Sequence, residues 1–196
     1  MAETPRDQSL FVGGIPARHV RVFGQNDEPA DVDSISGGLI LIDTVHARIH
    51  AGQFFTVNHL NLALADNATI VFLIRTGSRV AHARPFAVVG GDAQFEIFEG
   101  PTVTVDGAAQ TVVNKNRLSS NTAETLVFLT PTTTGDGTEL DDHLIVGGVG
   151  PVQSIGSEGS FAHEWDLNVN TEYLLRLTNR AGAAQPAHLQ FDFYES

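Results

Sequence analysis

From Leu39 onward, apolar and polar residues alternate in short runs, each stopped by Gly, Asp, Asn or Pro. That is the period of a half-buried β-strand, whose successive side chains point to opposite faces. In Val45-His46-Ala47-Arg48-Ile49-His50, the three apolar residues share one face and the basic residues the other. Phe55 to Ala65 sets Leu60, Leu62 and Leu64 against His59 and Asn61. Ala68 to Thr76 is apolar on both sides, with Ile70, Phe72 and Ile74 backed by Val71 and Leu73. Such a strand belongs in the middle of a sheet packed on both faces. Ala81 to Val89 carries Pro85, which marks an edge or a bulge because proline has no N–H for a ladder. Leu126 to Leu129 is again apolar on both sides. Tyr173, Leu175 and Leu177 oppose Leu174 and Arg176, and Leu189, Phe191 and Phe193 alternate with Gln190, Asp192 and Tyr194.

The stretch from Gly90-Gly91 to Arg117 sets the grammar for the rest. A short strand ends at Gly100-Pro101, a second follows, and Asp106-Gly107 is read as the reversal of a tight hairpin. Asn114 to Thr122 is too polar to continue a buried strand, and Asn168-Val169-Asn170 reads as a turn. No amphipathic segment of three helical turns is present. About nine to eleven short strands between turn signals predict an all-β antiparallel sandwich, jelly roll favoured. An immunoglobulin-like sandwich is the competing topology, weakened by the absence of its disulfide.

Residues 1–38 differ from the rest. Leu10, Phe11, Val12 and Ile15 form an apolar patch broken by Gly13-Gly14 and Pro16, and Gln25 to Ser36 is acidic and turn-rich. This predicts an extended N-terminal arm over 1–38 that docks on a partner, with the sandwich occupying 39–196. The alternative is that residues 19–23 form an ordinary first strand.

Charge and cysteine content narrow the function. The net charge of −12, from 23 acidic and 11 basic residues, disfavours a nucleic-acid partner. With no cysteine there is no disulfide framework, no thiol nucleophile and no Cys-based zinc site. The opening residues lack the order of a secretory signal, and no apolar run approaches membrane-spanning length, so a soluble protein without a membrane partner is expected.

Candidate chemistry is thin. Read on a strand, His46 and His50 share a face but stand roughly 13 Å apart, too far to hold one ion together. Asp141-Asp142-His143 and His163-Glu164 are compatible with a cation but show no ligand spacing, and solvated loop charges are the plainer reading. There is no Gly-x-Ser-x-Gly elbow and no phosphate-cradling Gly-Lys-Ser/Thr loop. No catalytic residue, no metal and no cofactor are expected.

Several phrases in order carry a likeness. They are Val45 to Gly52, Gly90-Gly91-Asp92-Ala93 with Phe98-Glu99-Gly100, and Asn114-Lys115-Asn116-Arg117 through Thr122. Thr130-Pro131 with Gly135 to Leu140, and Asn170 to Gly182, complete the set. Together they resemble the head decoration (cement) proteins of tailed bacteriophages, over roughly residues 40–194. The resemblance implies a non-enzymatic sandwich, made in the host cytoplasm, that binds the major capsid protein on the outer surface of the virion. It also implies a homo-oligomer, trimer favoured over dimer, and the strands apolar on both sides point the same way, since one sandwich covers one face of each sheet. The expected capsid or subunit contacts are Leu10, Phe11, Val12 and Ile15 of the arm, with Asn114, Asn116 and Arg117. A receptor- or carbohydrate-binding module of a tail or fibre is the alternative; it needs exposed aromatics, and the chain has one Trp and two Tyr.

Overall fold

The computed structural model describes residues 44–147 and 164–196, together with the backbone pairing of three short strands elsewhere. The chain divides into two units, 1–43 and 44–196. In the first, β1 (Phe11–Val12) and β2 (Ile15–Pro16) pair antiparallel, Phe11 opposite Pro16 and Val12 opposite Ile15. Leu10 and the strand-like segment 19–23 lie outside the described residues.

The second unit opens on α1 (Thr44–His50), then β3 (Phe54–Leu64), β4 (Thr69–Arg75), β5 (Ala81–Val89) and β6 (Ala93–Glu99). Next come β7 (Thr102–Val105), β8 (Ala108–Ala109), β9 (Val113–Asn114), β10 (Leu126–Leu129), β11 (Thr132–Gly135) and β12 (Thr138–Ile145). After these come β13 (Gly156–Ser157), β14 (Trp165–Leu167), β15 (Glu172–Asn179) and β16 (Gln185–Glu195).

Two antiparallel sheets pack face to face, as the alternation requires. One has the order β12-β6-β15-β4-β10-β8, the other β13-β5-β16-β3-β9, with β14 also on the edge of β5. Their centres are β12-β6-β15-β4 and β14-β5-β16-β3. The chain steps between sheets from β3 to β6 and again from β14 to β16. It thereby inserts β15 between β4 and β6, and β16 between β3 and β5. This is the double Greek key of a jelly roll. Strands β7 to β11 are an insertion between its fourth and fifth strands. Pro85 sits where β5 has no described partner on its outer side, between the stretches paired with β14 and β13, so its missing N–H costs no ladder bond.

The core lies between the sheets. Ile70, Phe72 and Ile74 from β4, Phe95 and Ile97 from β6, and Tyr173, Leu175 and Leu177 from β15 face Phe55, Val57, Leu189, Phe191 and Phe193. Each contributes roughly 1.5–3 kcal/mol of transfer free energy against the entropy of ordering it. Tyr173 is buried except for its need of a partner: its hydroxyl donates to Glu99 Oε2 and accepts from the Asn168 N–H, both at 2.8 Å. Burial, and then the hydrogen bond to Glu99, push its phenol up to about 12.

The two-sided apolar strands have an explanation within the chain. Phe98, Leu174, Leu73 and Phe128 form one cross-strand row on the outer face of the first sheet. The ribbon of β7 and β11 roofs this row, Val103 packing on a second core of Leu73, Phe98 and Leu174. Arginines on either side of the row hold the roof down. Arg75 grips Asp106 with both terminal nitrogens at 2.5 and 2.6 Å and lies over Phe128; Arg176 holds Asp136 at 2.6 Å and lies over Phe98.

Two local expectations are corrected. Gly107 takes a positive φ, +87°, but Asp106-Gly107 does not close a hairpin, because β7 pairs with β11 and β8 with β10. A Cβ on Gly107 would stand 2.2 Å from the Leu129 carbonyl oxygen, so the glycine is needed for close passage as well as for its φ. The second correction is α1, where a strand was expected. Val45 and Ile49 are also four apart, so the same residues satisfy a helical stripe. The signal that decides is Gly52, at φ +67°. Its N–H reaches the Ile49 carbonyl and the Gln53 N–H the Arg48 carbonyl, which is the glycine-terminated end of a helix rather than the turn of a hairpin.

Candidate functional site

The helix end is where the Asn114–Thr122 cluster does its work. Asn114 is 8% exposed, and its side-chain amide donates to the carbonyls of Gly52 at 2.9 Å and Asn121 at 3.0 Å. Its side-chain oxygen accepts from the Asn116 N–H. Asn116 donates to the His50 carbonyl at 3.0 Å, and Asn121 to those of Ala51 and Gly52 at 3.3 Å. Asn116 thus satisfies the last carbonyl of the helix, and Asn114 and Asn121 those of the two residues that follow it. Among the described residues, Arg117 makes one long contact, 3.5 Å to the Asn114 carbonyl. Of the sequence-selected contact residues, Asn114 is spent inside the fold, while Asn116 and Arg117 lie nearer the surface. For Phe11, Val12 and Ile15 only the backbone pairing is described.

On α1 the two histidines are adjacent, not 13 Å apart: His46 Nε2 and His50 Nε2 are separated by 3.0 Å, with ring centroids at 4.5 Å. The helix turn, absent from the strand reading, brings them together. Asp141 and Asp142 diverge, Asp141 lying 3.3 Å from His143 Nδ1 and Asp142 accepting from Gln94 at 2.8 Å. His163 lies outside the described residues.

A cluster that the sequence does not disclose stands on the outer face of the second sheet. Register places Tyr194 of β16 between His82 of β5 and Phe54 of β3, and places Asp166 of β14 opposite His82. The His82 ring stacks on Tyr194 at 4.3 Å and 10°. His82 Nδ1 lies 2.5 Å from Asp166 Oδ1 and 3.7 Å from Glu164 Oε1, and its Nε2 lies 3.1 Å from Ser196 Oγ. Tyr194 donates its hydroxyl to Glu164 Oε1 at 2.6 Å, and burial, then this bond, push its phenol up to about 12. Arg84 Nε is 3.7 Å from Glu164 Oε2, and Arg48 of α1 lies over the Tyr194 ring. Along the same row Lys115 lies over Phe54 and pairs with Asp192 at 2.5 Å.

Ser196, His82 and Asp166 stand in the order of a nucleophile, a base and an orienting acid. They occupy an open sheet face, with Asp166 and Ser196 exposed. Acyl transfer calls for a concave site that excludes water. The cavity between the sheets, lined by Ile74, Ala83, Ile97, Trp165 and Phe191 among others, is about 10 Å³, which is space for no more than a water.

The remaining feature is an edge. Beyond Thr56, β3 has no described partner on the side away from β16, since β9 reaches only Phe55 and Thr56. This free stretch presents Leu60 at 57% and Leu62 at 74% exposure, and β3 carries no acidic residue, lysine or arginine. No family model, curated protein or solved structure matches the chain.

Proposed function

We propose that the protein is a non-enzymatic structural component of a phage virion that binds the outside of the capsid through the major capsid protein. One observation carries the binding reading: an uncharged edge strand with two exposed leucines, in a chain of net charge −12. Bare apolar edges recruit further strands, and soluble proteins ordinarily blunt them with charge. The resemblance of its sequence phrases to head decoration proteins supplies the partner. The rest of the described polar chemistry is largely committed to holding loops on the jelly roll, which suits a rigid clamp bound in many copies.

The arm, 1–38, contributes to attachment in this reading, and the protein acts as a homo-oligomer, trimer favoured. The two-faced strands no longer argue for a second copy, because the β7–β11 ribbon covers them, and self-association rests on the resemblance. The carbohydrate-binding alternative needs an aromatic platform, yet Tyr173 and Tyr194 are buried and Trp165 packs against the core.

The test is co-sedimentation with capsids assembled from the major capsid protein of the same phage. Saturable binding by the full chain, weakened both by deletion of residues 1–17 and by Leu60→Lys with Leu62→Lys, is the expected result. Failure of the full chain to bind would overturn the proposal.

A further inference from the structure

We propose that His82, Glu164 and Asp166 form a binding site for a divalent transition-metal cation, of the class of Zn²⁺ or Mn²⁺, bridging β5 and β14. One imidazole nitrogen and one oxygen from each carboxylate lie within 4.8 Å of one another. The strand pairing builds this set: Asp166 is directly opposite His82, and Glu164, two residues earlier, returns to the same side while Trp165 between them packs against the core.

The surroundings are those of a ligating imidazole. Ser196 Oγ stands at the other ring nitrogen, where it accepts an Nε2–H once the Nδ1 proton facing Asp166 has given way to the cation. The Tyr194 ring fixes the plane of the imidazole and its hydroxyl holds Glu164, so two of the three ligands are oriented by one side chain. Asp166, 69% exposed at its side chain, is the third ligand, with room to rotate. The Nδ1–H that its carboxylate accepts is released to solvent when the cation enters, and a small rotation sets the donors at about 2.0–2.2 Å from the metal. Open positions are left to water.

Charge selects the ion. Arg84 stands beside Glu164 and Arg48 lies over Tyr194, so the net negative charge at the site is small. Ca²⁺, which gathers six or more oxygens and relies on carboxylate charge, is poorly served, whereas a cation that accepts imidazole nitrogen is well served. Bound there, the ion anchors the three-residue β14 to its neighbour. This inference does not depend on the capsid proposal.

The full-length protein, stripped with a chelator, is titrated with ZnCl₂ or MnCl₂ by calorimetry and followed by its melting temperature. The expected result is one cation whose binding raises the melting temperature. His82→Gln and Asp166→Asn abolish that rise, and Tyr194→Phe weakens affinity about tenfold, as loss of a ligand's support does. Because the α1 histidines offer a rival pair, His46→Ala with His50→Ala is the control, and the rise must survive it. Circular dichroism establishes that each variant is folded. No binding to the wild type would overturn the proposal. So would binding unchanged in folded Asp166→Asn, or binding lost only with the α1 histidines.

Discussion

Asn114 donates its side-chain amide to the backbone carbonyl of Gly52 at 2.9 Å, fastening a polar loop to the end of a helix 62 residues earlier in the chain. Asn114 is buried and its amide is fully used, so Asn114→Ala leaves the Gly52 and Asn121 carbonyls without that donor and costs about 1–3 kcal/mol. Asn116→Ala, at the exposed side of the same cluster, costs less. Urea unfolding of the two variants distinguishes a fastening from a contact surface, and equal, negligible losses would refute the fastening role.

Leu73 points away from the main core yet is 0% exposed, because the β7–β11 ribbon covers it. Leu73→Ala is therefore expected to cost about 2–5 kcal/mol, like any core truncation. Leu126→Ala on the neighbouring strand, half exposed, stays within about 0.5 kcal/mol. If Leu73→Ala proves as harmless in urea as Leu126→Ala, the second core is not a core.

His188 lies on the outer face of β16, where burial lowers its pKa, with Asp192 opposing that shift and His59 adding to it. The unfolded chain then binds the proton more readily than the folded one between the lowered value and about 6.5. More protons bound in the unfolded state means that stability rises with pH through that window and falls on acidification. Glu96 acts in the opposite sense, since burial raises its pKa and its folded form keeps a proton longer. Comparing wild type with His188→Gln at pH 7.5 and 5.5 isolates the histidine. The wild type should lose more stability on acidification, and identical losses would count against the assignment.

Leu62→Lys, at the exposed edge of β3, is expected to change stability by no more than about 0.5 kcal/mol and to weaken capsid co-sedimentation without changing the mass of the oligomer. Light scattering reads the mass. A wild-type species of 21.0 kDa at micromolar concentration would overturn the homo-oligomer.

The sequence by itself determined the all-β class, the alternating faces of β15 and β16, the turn at Asn168 to Asn170, and the edge-or-bulge setting of Pro85. These follow from period-two alternation and from residues whose backbone preferences act locally. Alternation could not determine α1, because Val45 and Ile49 satisfy both a strand face and a helix stripe. The choice fell to Gly52 and to three asparagines far along the chain. Nor could it show what covers the second face of Leu73, since the ribbon that does so pairs two segments from either side of β8 to β10. The His82, Glu164 and Asp166 cluster was illegible for the same reason: its members come from β5 and the β14 region, aligned only by the register of the folded sheet. Local composition sets which face a side chain takes. Only the pairing of distant strands decides which other side chain it meets there.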